Sequence, residues 1–220
     1  MSWPLVKLAE VAPAKPLKQV SQSPENIVLQ ITLDNIESGT GRLVKRNYQP
    51  AAKAGNSKYW FDENHVLYSK LRPYLNKVYL PTEIGIATTE LVPLSPIKHV
   101  LDRTYLAHYL RSKSFVDWVS SQTAGAKMPR VSMAVFWEHK IPLPPLAEQK
   151  RIAGILDKAD GIRRKRQQAI DLADEFLRAT FLDVFGDPVT NPKRWKVSPL
   201  IKCAELINGD RSSNYPSGGD

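Results

Sequence analysis

The strongest constraint on this chain is a proline-free stretch, residues 146–184, set between a proline cluster (Pro142, Pro144, Pro145) and Pro188. The spacing predicts one long α-helix over 146–184. Pro145 opens it at the first helical position, where the missing N–H is no loss. Prolines restrict the backbone that precedes them, so the approach acts as a stiff joint that aims the helix. At 1.5 Å per residue such a helix is roughly 58 Å long. That exceeds the width of a small domain, so much of it is expected to project.

The helix carries a seam. Ile152, Ile155, Ala159, Ile162, Arg166, Ala169, Ala173, Phe176 and Thr180 follow one another at alternating spacings of three and four, and all but Arg166 and Thr180 are apolar. This is the pattern of a coiled coil. Leu156, Ile170, Leu177 and Val184 widen the stripe. Left in water it would be a large apolar patch, so pairing with a partner helix is expected through Ile152, Ile155, Ala159, Ile162, Ala169, Ala173 and Phe176. Folding back onto its own domain is the competing arrangement. The run Arg163–Arg166 (RRKR) reads as a solvated face balanced by Asp157, Asp160, Asp171 and Asp174. Phosphate contact and a nuclear-localisation signal are its other readings.

Residues 1–145 read as a mixed α/β domain. IVLQITL (27–33), HVLYSKL (65–71), KVYL (77–80) and IGIATTELVPL (84–94) are strand candidates, the middle two parted by a turn at Pro73. Residues 101–122 are helical, with Asp102 as a cap and Ser114 as the cap of a second helical segment. TAGAKMPR (123–130) reads as a loop. Residues 185–220 are turn-rich, yet PLIKCAEL (199–206) echoes PLVKLAEV (4–11) at five of eight positions, with Trp195 and Trp3 preceding each. A second copy of the first domain begins there, or a tail. The fold class is therefore α+β, with a domain over 1–145, a spacer or dimerisation helix over 146–184, and an incomplete second domain or tail over 185–220. A hydrophobic fraction of 42% is enough for a real core.

Charge narrows the function. The net charge is +9, and residues 42–77 hold Arg42, Lys45, Arg46, Lys53, Lys58, Lys70, Arg72 and Lys77 against only Asp62 and Glu63. Tyr48, Tyr59, Trp60, Phe61, Tyr68 and Tyr74 are interleaved with them. Bases among aromatics suit phosphate contact with stacking or groove contact. A solvated basic face over a core that uses the aromatics is the alternative. There is no apolar run of membrane-spanning length and no leader-like N-terminus. With a single cysteine, Cys203, no intrachain disulfide can form, and the cytoplasm is the expected location.

Catalytic motifs are sparse. No Asn/Asp-Pro-Pro-aromatic motif holds a flipped adenine, no glycine-rich loop follows a strand, and His65, His99, His108 and His139 lack zinc-ligand spacing. Glu138-His139-Lys140 has the Glu-x-Lys form of a metal-dependent nuclease, with Asp117 the candidate second carboxylate. No catalytic residue and no metal ligand is assigned.

KMPRVSMAVFWEHKIPLPPLAEQKRIAGILD (127–157), and its core IPLPPLAEQKRI above all, resembles the junction of recognition domain and spacer helix in the specificity subunits of type I restriction-modification systems. SWPLVKLAEV, VLYSKLRPYLNKV, GIATTELVPL and FGDP extend the resemblance over nearly the whole chain. Members of that family usually carry two recognition domains and two spacer helices. This chain resembles the first domain, the first helix and the opening of the second domain. The resemblance implies a non-enzymatic subunit that reads half of a bipartite site in double-stranded DNA, its paired helices setting the gap between halves. It implies a methylation subunit that brings S-adenosylmethionine and a separate restriction subunit, with no cofactor on this chain. The expected DNA contacts are Arg42, Lys45, Arg46, Lys58, Lys70, Arg72, Lys127 and Arg130, arginine being able to bond guanine and lysine phosphate. SKLRPYLNK reads equally as a structural hairpin. With one spacer helix present, a homodimer of antiparallel helices is expected. A metal-dependent nuclease and a coiled-coil adaptor that does not bind DNA are the rival readings.

Overall fold

Alternation along the strands decides which faces meet. In a computed structural model, residues 3–18, 23, 25–55, 58–125 and 127–205 are described. The elements in order are β1 (Leu5–Lys7), α1 (Leu8–Val11), β2 (Ile27–Ile31), β3 (Tyr48–Pro50), β4 (Lys58–Phe61) and β5 (Val66–Ser69). Next come β6 (Val78–Tyr79), β7 (Gly85–Thr88), β8 (Leu91–Leu94), α2 (Arg103–Arg111) and α3 (Lys113–Ser121). β9 (Thr123–Ala124), β10 (Arg130–Val131), α4 (Met133–Glu138), β11 (Lys140–Pro142) and α5 (Leu146–Phe185) complete the order, apart from short 3₁₀ turns. The chain is α+β with one long helix, and it falls into two compact units that divide within α5, after Ile162. Among the described residues no helix is long and apolar enough to cross a membrane.

The first sheet runs β3-β2-β7-β4 and the second β6-β5-β8. In β2, Leu29 and Ile31 join Phe61, Leu67, Ala87 and Leu91 in one core cluster, while Val28 joins Trp60 and Ile86 in another. Side chains of period two thus place a shared layer between the sheets. The four residues of β5 are all buried, because Val66 and Tyr68 face a third and largest cluster on the far side of the second sheet. That cluster is built on Leu106 and Leu110 of α2, Phe115 and Val119 of α3, and Phe136 of α4. Phe115 and Phe136 meet edge to face at 6.1 Å. β1 pairs with β11, Val6 opposite Ile141, which ties the segment leading into α5 to the first strand of the domain.

Several expectations are corrected. Residues 84–94 are two strands in different sheets, because the chain turns a corner at Thr89 and Glu90. Ser112, not Ser114, caps α3, accepting from the Phe115 N–H at 3.3 Å, since the extended backbone of Ser112 breaks the helix there. Asp102 caps α2 as expected, accepting from the Thr104 and Tyr105 N–H groups at 2.9 Å. Within 123–130, Thr123, Ala124 and Arg130 are strand residues rather than plain loop, Ala124 lying opposite Arg130. The helix begins at Leu146, as the spacing predicts, and ends at Phe185, with the Pro145 carbonyl accepting from the Gln149 N–H at 3.0 Å.

In the second unit, the turn after α5 folds back on the helix end. The Trp195 indole donates to the Phe185 carbonyl at 2.7 Å, and Lys193 to the Val184 carbonyl at 2.9 Å. Leu200–Lys202, which echo β1 in sequence, form a 3₁₀ turn rather than a strand. A strand needs a hydrogen-bonded neighbour, and β1 has β11. The rest of the echo, from Leu206, lies outside the described residues.

Candidate nucleic-acid interface

Strand registers bring the basic segments to one end of the two sheets. β2 and β7 run parallel, with Ile31 beside Ala87, so the loop leaving β2 and the turn leaving β7 share an end. β4 is antiparallel to β7 and places Lys58 opposite Thr88 at that end. β5 finishes there too, Ser69 lying opposite Leu91 just beyond the same turn. The entry to β3 joins them, because the Gln30 N–H donates to the Asn47 carbonyl at 2.8 Å. The loops are then knitted by backbone bonds: Gly39 N–H to Asn76 carbonyl at 3.0 Å, Arg72 N–H to Pro129 carbonyl at 2.8 Å, and Val131 N–H to Lys70 carbonyl at 3.1 Å. Arg42, Lys45, Arg46, Lys58, Lys70, Arg72, Lys127 and Arg130 all stand on these segments, although they come from four different stretches of sequence.

Their charges are not equivalent. Arg42 pairs with Glu37, Arg46 with Glu83 and Arg130 with Glu90, each at 2.9 Å. The Thr40 hydroxyl and the Arg42 guanidinium hold the Glu37 carboxyl below its usual range. The Glu90 carboxylate raises the Arg130 guanidinium above its ordinary value. Lys58 is committed to the Ala51 carbonyl at 3.3 Å. Among the described residues, no carboxylate lies within ion-pairing reach of Lys45, Lys70, Arg72 or Lys127. Only Glu37, five positions before Arg42, was within local reach in the sequence. Glu83 and Glu90 arrive from 37 and 40 positions away.

The turn after β5 is strained and rigid. Arg72 and Asn76 both take left-handed backbone conformations, φ 48° and 50°, at either end of a 3₁₀ turn over Pro73–Leu75. Such conformations persist where the surroundings over-determine them, and they cluster at ligand sites. Here the Pro129 and Gly39 backbone bonds and the bond from the Asn76 amide to the Arg111 carbonyl, at 3.0 Å, hold the turn. It presents Arg72 and the half-exposed ring of Tyr74 to solvent. The expected interleaving of bases with stacking aromatics is otherwise corrected. Trp60, Phe61 and Tyr68 are buried in the sheets and Tyr59 is half-buried, so only Tyr48 and Tyr74 are exposed.

Gly41 lets the 37–44 loop close. Its φ is +68°, and a Cβ there would lie 1.9 Å from the Val78 carbonyl oxygen. Gly41→Ala is expected to destabilise the chain by about 2 kcal/mol and to lower the melting midpoint by roughly 4–8 °C. Calorimetry checks this, and an unchanged midpoint would mean that the loop is not seated against β6.

The long helix has two characters. Ile152 packs half-buried against the core of its own domain and Ala153 is buried, so the seam starts on the domain. Ile155, Ala159, Ile162, Ala169, Ala173 and Phe176 are exposed, as are Arg163–Arg166. Glu138 and Asp117, the nuclease candidates, sit on different helices and pair with Lys7 at 2.6 Å and Lys113 at 2.5 Å. His139 stacks on Trp118, its ring centroid 3.8 Å away, and burial pushes its pKa down. His65 contacts Asp62 and His108 contacts Asp157, at 2.6 and 2.8 Å. Among the described residues no three His, Cys, Asp or Glu side chains are gathered as a metal site.

Comparison with known proteins places this arrangement. Residues 2–172 match the family described as type I restriction modification DNA specificity domain. The EcoDI specificity subunit of Escherichia coli is 26% identical over 229 residues, which cover 99% of this chain and 50% of that protein. The MjaVIII specificity subunit of Methanocaldococcus jannaschii is 25% identical over 207 residues, covering 92% and 46%. The crystal structure of the HsdS subunit from Thermoanaerobacter tengcongensis shares the fold with a TM-score of 0.61 at 23% identity, over 85% of this chain and 50% of that one. The chain spans about half the length of the curated relatives it matches. It belongs to the family of type I restriction-modification DNA specificity domains.

Proposed function

We propose that this chain recognises DNA for a type I restriction-modification complex, reading one half of a bipartite double-stranded site through the basic end of its two sheets. The observation that carries this is the convergence, on one end of a member of this family, of eight bases from four stretches of sequence. Among the described residues five of them have no acid partner, and of these Lys58 is held by a backbone carbonyl. Phosphate contacts fix position and base-edge contacts fix sequence. Lys45, Lys70, Arg72 and Lys127 suit the first role. Arg42, Arg46 and Arg130, whose forks are already oriented by glutamates, suit the second.

The chain itself is a non-catalytic, cytoplasmic subunit that binds no cofactor. A methylation subunit supplies S-adenosylmethionine, and a restriction subunit cuts. The exposed seam of α5 pairs with the same helix of a second copy, antiparallel, so that the two reading ends are held a fixed distance apart. Nothing in the geometry favours the rivals: the nuclease carboxylates are each tied to a lysine, and an adaptor has no use for the basic end.

Methylome sequencing of cells that carry this chain with its cognate methylation subunit tests the reading. The expected result is one bipartite, inverted-repeat modified motif that disappears when the chain is deleted. A contiguous motif, or none, would overturn it.

A further inference from the structure

Gln149 is buried completely in the first turn of α5, one of three buried polar side chains among the described residues. Its side-chain oxygen accepts from the Asp102 N–H at 2.8 Å. Its amide nitrogen donates to the Val100 carbonyl at 2.9 Å and to the Pro144 carbonyl at 2.8 Å. One amide thus joins the loop before α2, the cap of α2 and the proline run that leads into α5. The cap itself is rigid, since Asp102 is held by two N–H groups of α2. The Tyr105 hydroxyl adds a bond to the Pro142 carbonyl at 2.9 Å.

The contact continues along one face of the helix. Ala153, one turn after Gln149, is 4% exposed in the largest core cluster. Asp157, a further turn on, meets the His108 ring at 2.8 Å. Positions 149, 153 and 157 therefore form one stripe, matched on the α2 side by Asp102, Tyr105 and His108. A leucine at 149 could fill the same volume, but a purely apolar contact tolerates sliding and rotation. An amide bonded to both donors and acceptors does not, because each bond is directional and a lost partner leaves a buried polar group unsatisfied.

We infer that Gln149 is a positioning residue that locks the direction and the rotation of the first part of α5, up to Ile162, on the domain. Rotation matters because consecutive residues stand about 100° apart around a helix. A slip by one residue would carry the seam beginning at Ile155 away from its partner. The consequence for DNA, a fixed gap between half-sites, rests on the function proposed above. The anchoring does not.

The test uses the full chain in a Cys203→Ser background, diluted with unlabelled chain. Spin labels are placed through Lys53→Cys and Lys158→Cys, and separately through Lys53→Cys and Lys113→Cys. Pulsed electron resonance then reads the two distance distributions. Gln149→Ala is expected to broaden the Lys53–Lys158 distribution at least about twofold while leaving the Lys53–Lys113 pair unchanged. An unchanged first pair, or both pairs broadening together, overturns the inference. A second measurement needs no substitution at 149: in the unaltered chain the Gln149 side-chain amide protons exchange at least about tenfold more slowly than those of exposed glutamines. Exchange at the exposed rate also overturns it. Neither readout involves DNA, so failure of the DNA reading leaves both interpretable.

Discussion

Alanine at Lys70, Arg72 and Lys127 together is expected to weaken binding to duplex DNA roughly 500-fold at 0.1 M salt and to flatten the salt dependence by about 2.7 in slope, at about 0.9 per phosphate contact. The size of the effect follows from the absence of internal partners. None of the three side chains forms an ion pair among the described residues, so none spends its charge on the fold. Their loss removes only counterion release on binding. The melting midpoint should therefore stay within about 2 °C of the parent, surface changes being small in their effect on stability. The contrast is Arg130→Ala, which leaves Glu90 unpaired beside the interface and adds repulsion toward phosphate. That variant is expected to lose affinity and sequence preference together. Anisotropy titrations across a salt series, on a mixed-sequence duplex and on the modified motif, separate the two behaviours. Binding by the triple variant with the parent slope would move the contact surface off this end of the sheets.

What the sequence revealed and what it hid divide along range. The long helix was legible because proline is excluded from its interior and concentrated at its approach, a local signal. The cap at Asp102 was legible for the same reason, while Ser112 and Ser114 differ only in where α2 stops. The strand over 84–94 was misread because nothing in GIATTELVPL marks a corner. The break exists because Ala87 and Leu91 face the same inter-sheet layer from opposite sheets. The aromatics of residues 42–77 suggest a stacking surface, yet three of the six, Trp60, Phe61 and Tyr68, are strand residues facing a core, which only the pairing of β4 with β7 and β5 with β8 decides. The eight bases were legible as a list. Their convergence depends on the parallel register of β2 and β7, and the pairing of Arg46 and Arg130 on glutamates some forty residues distant. Gln149 is not legible, since one glutamine in a helix of mixed polarity carries no periodic signal.

The proposed pairing of α5 carries the second large expected effect. Ile162 is 55% and Phe176 69% exposed, two of the apolar residues that continue along the helix after Ile155. Burying such a side chain is worth about 1.5–3 kcal/mol. In a symmetric dimer each position counts twice, so Ile162→Asp with Phe176→Asp removes at least about 6 kcal/mol from association, or roughly ten-thousand-fold in Kd. Neither side chain is buried in its own chain, so the double variant should keep its helix content and the melting of the domain core. Light scattering behind gel filtration is expected to show the parent at twice 24.8 kDa and the variant at that mass, at tens of micromolar. A monomeric parent overturns the homodimer. The seam would then have to close on a helix from a different polypeptide or a different part of a longer chain. Aspartate at the same two positions would in that case leave the chain's own mass unaltered and abolish assembly with the partner alone.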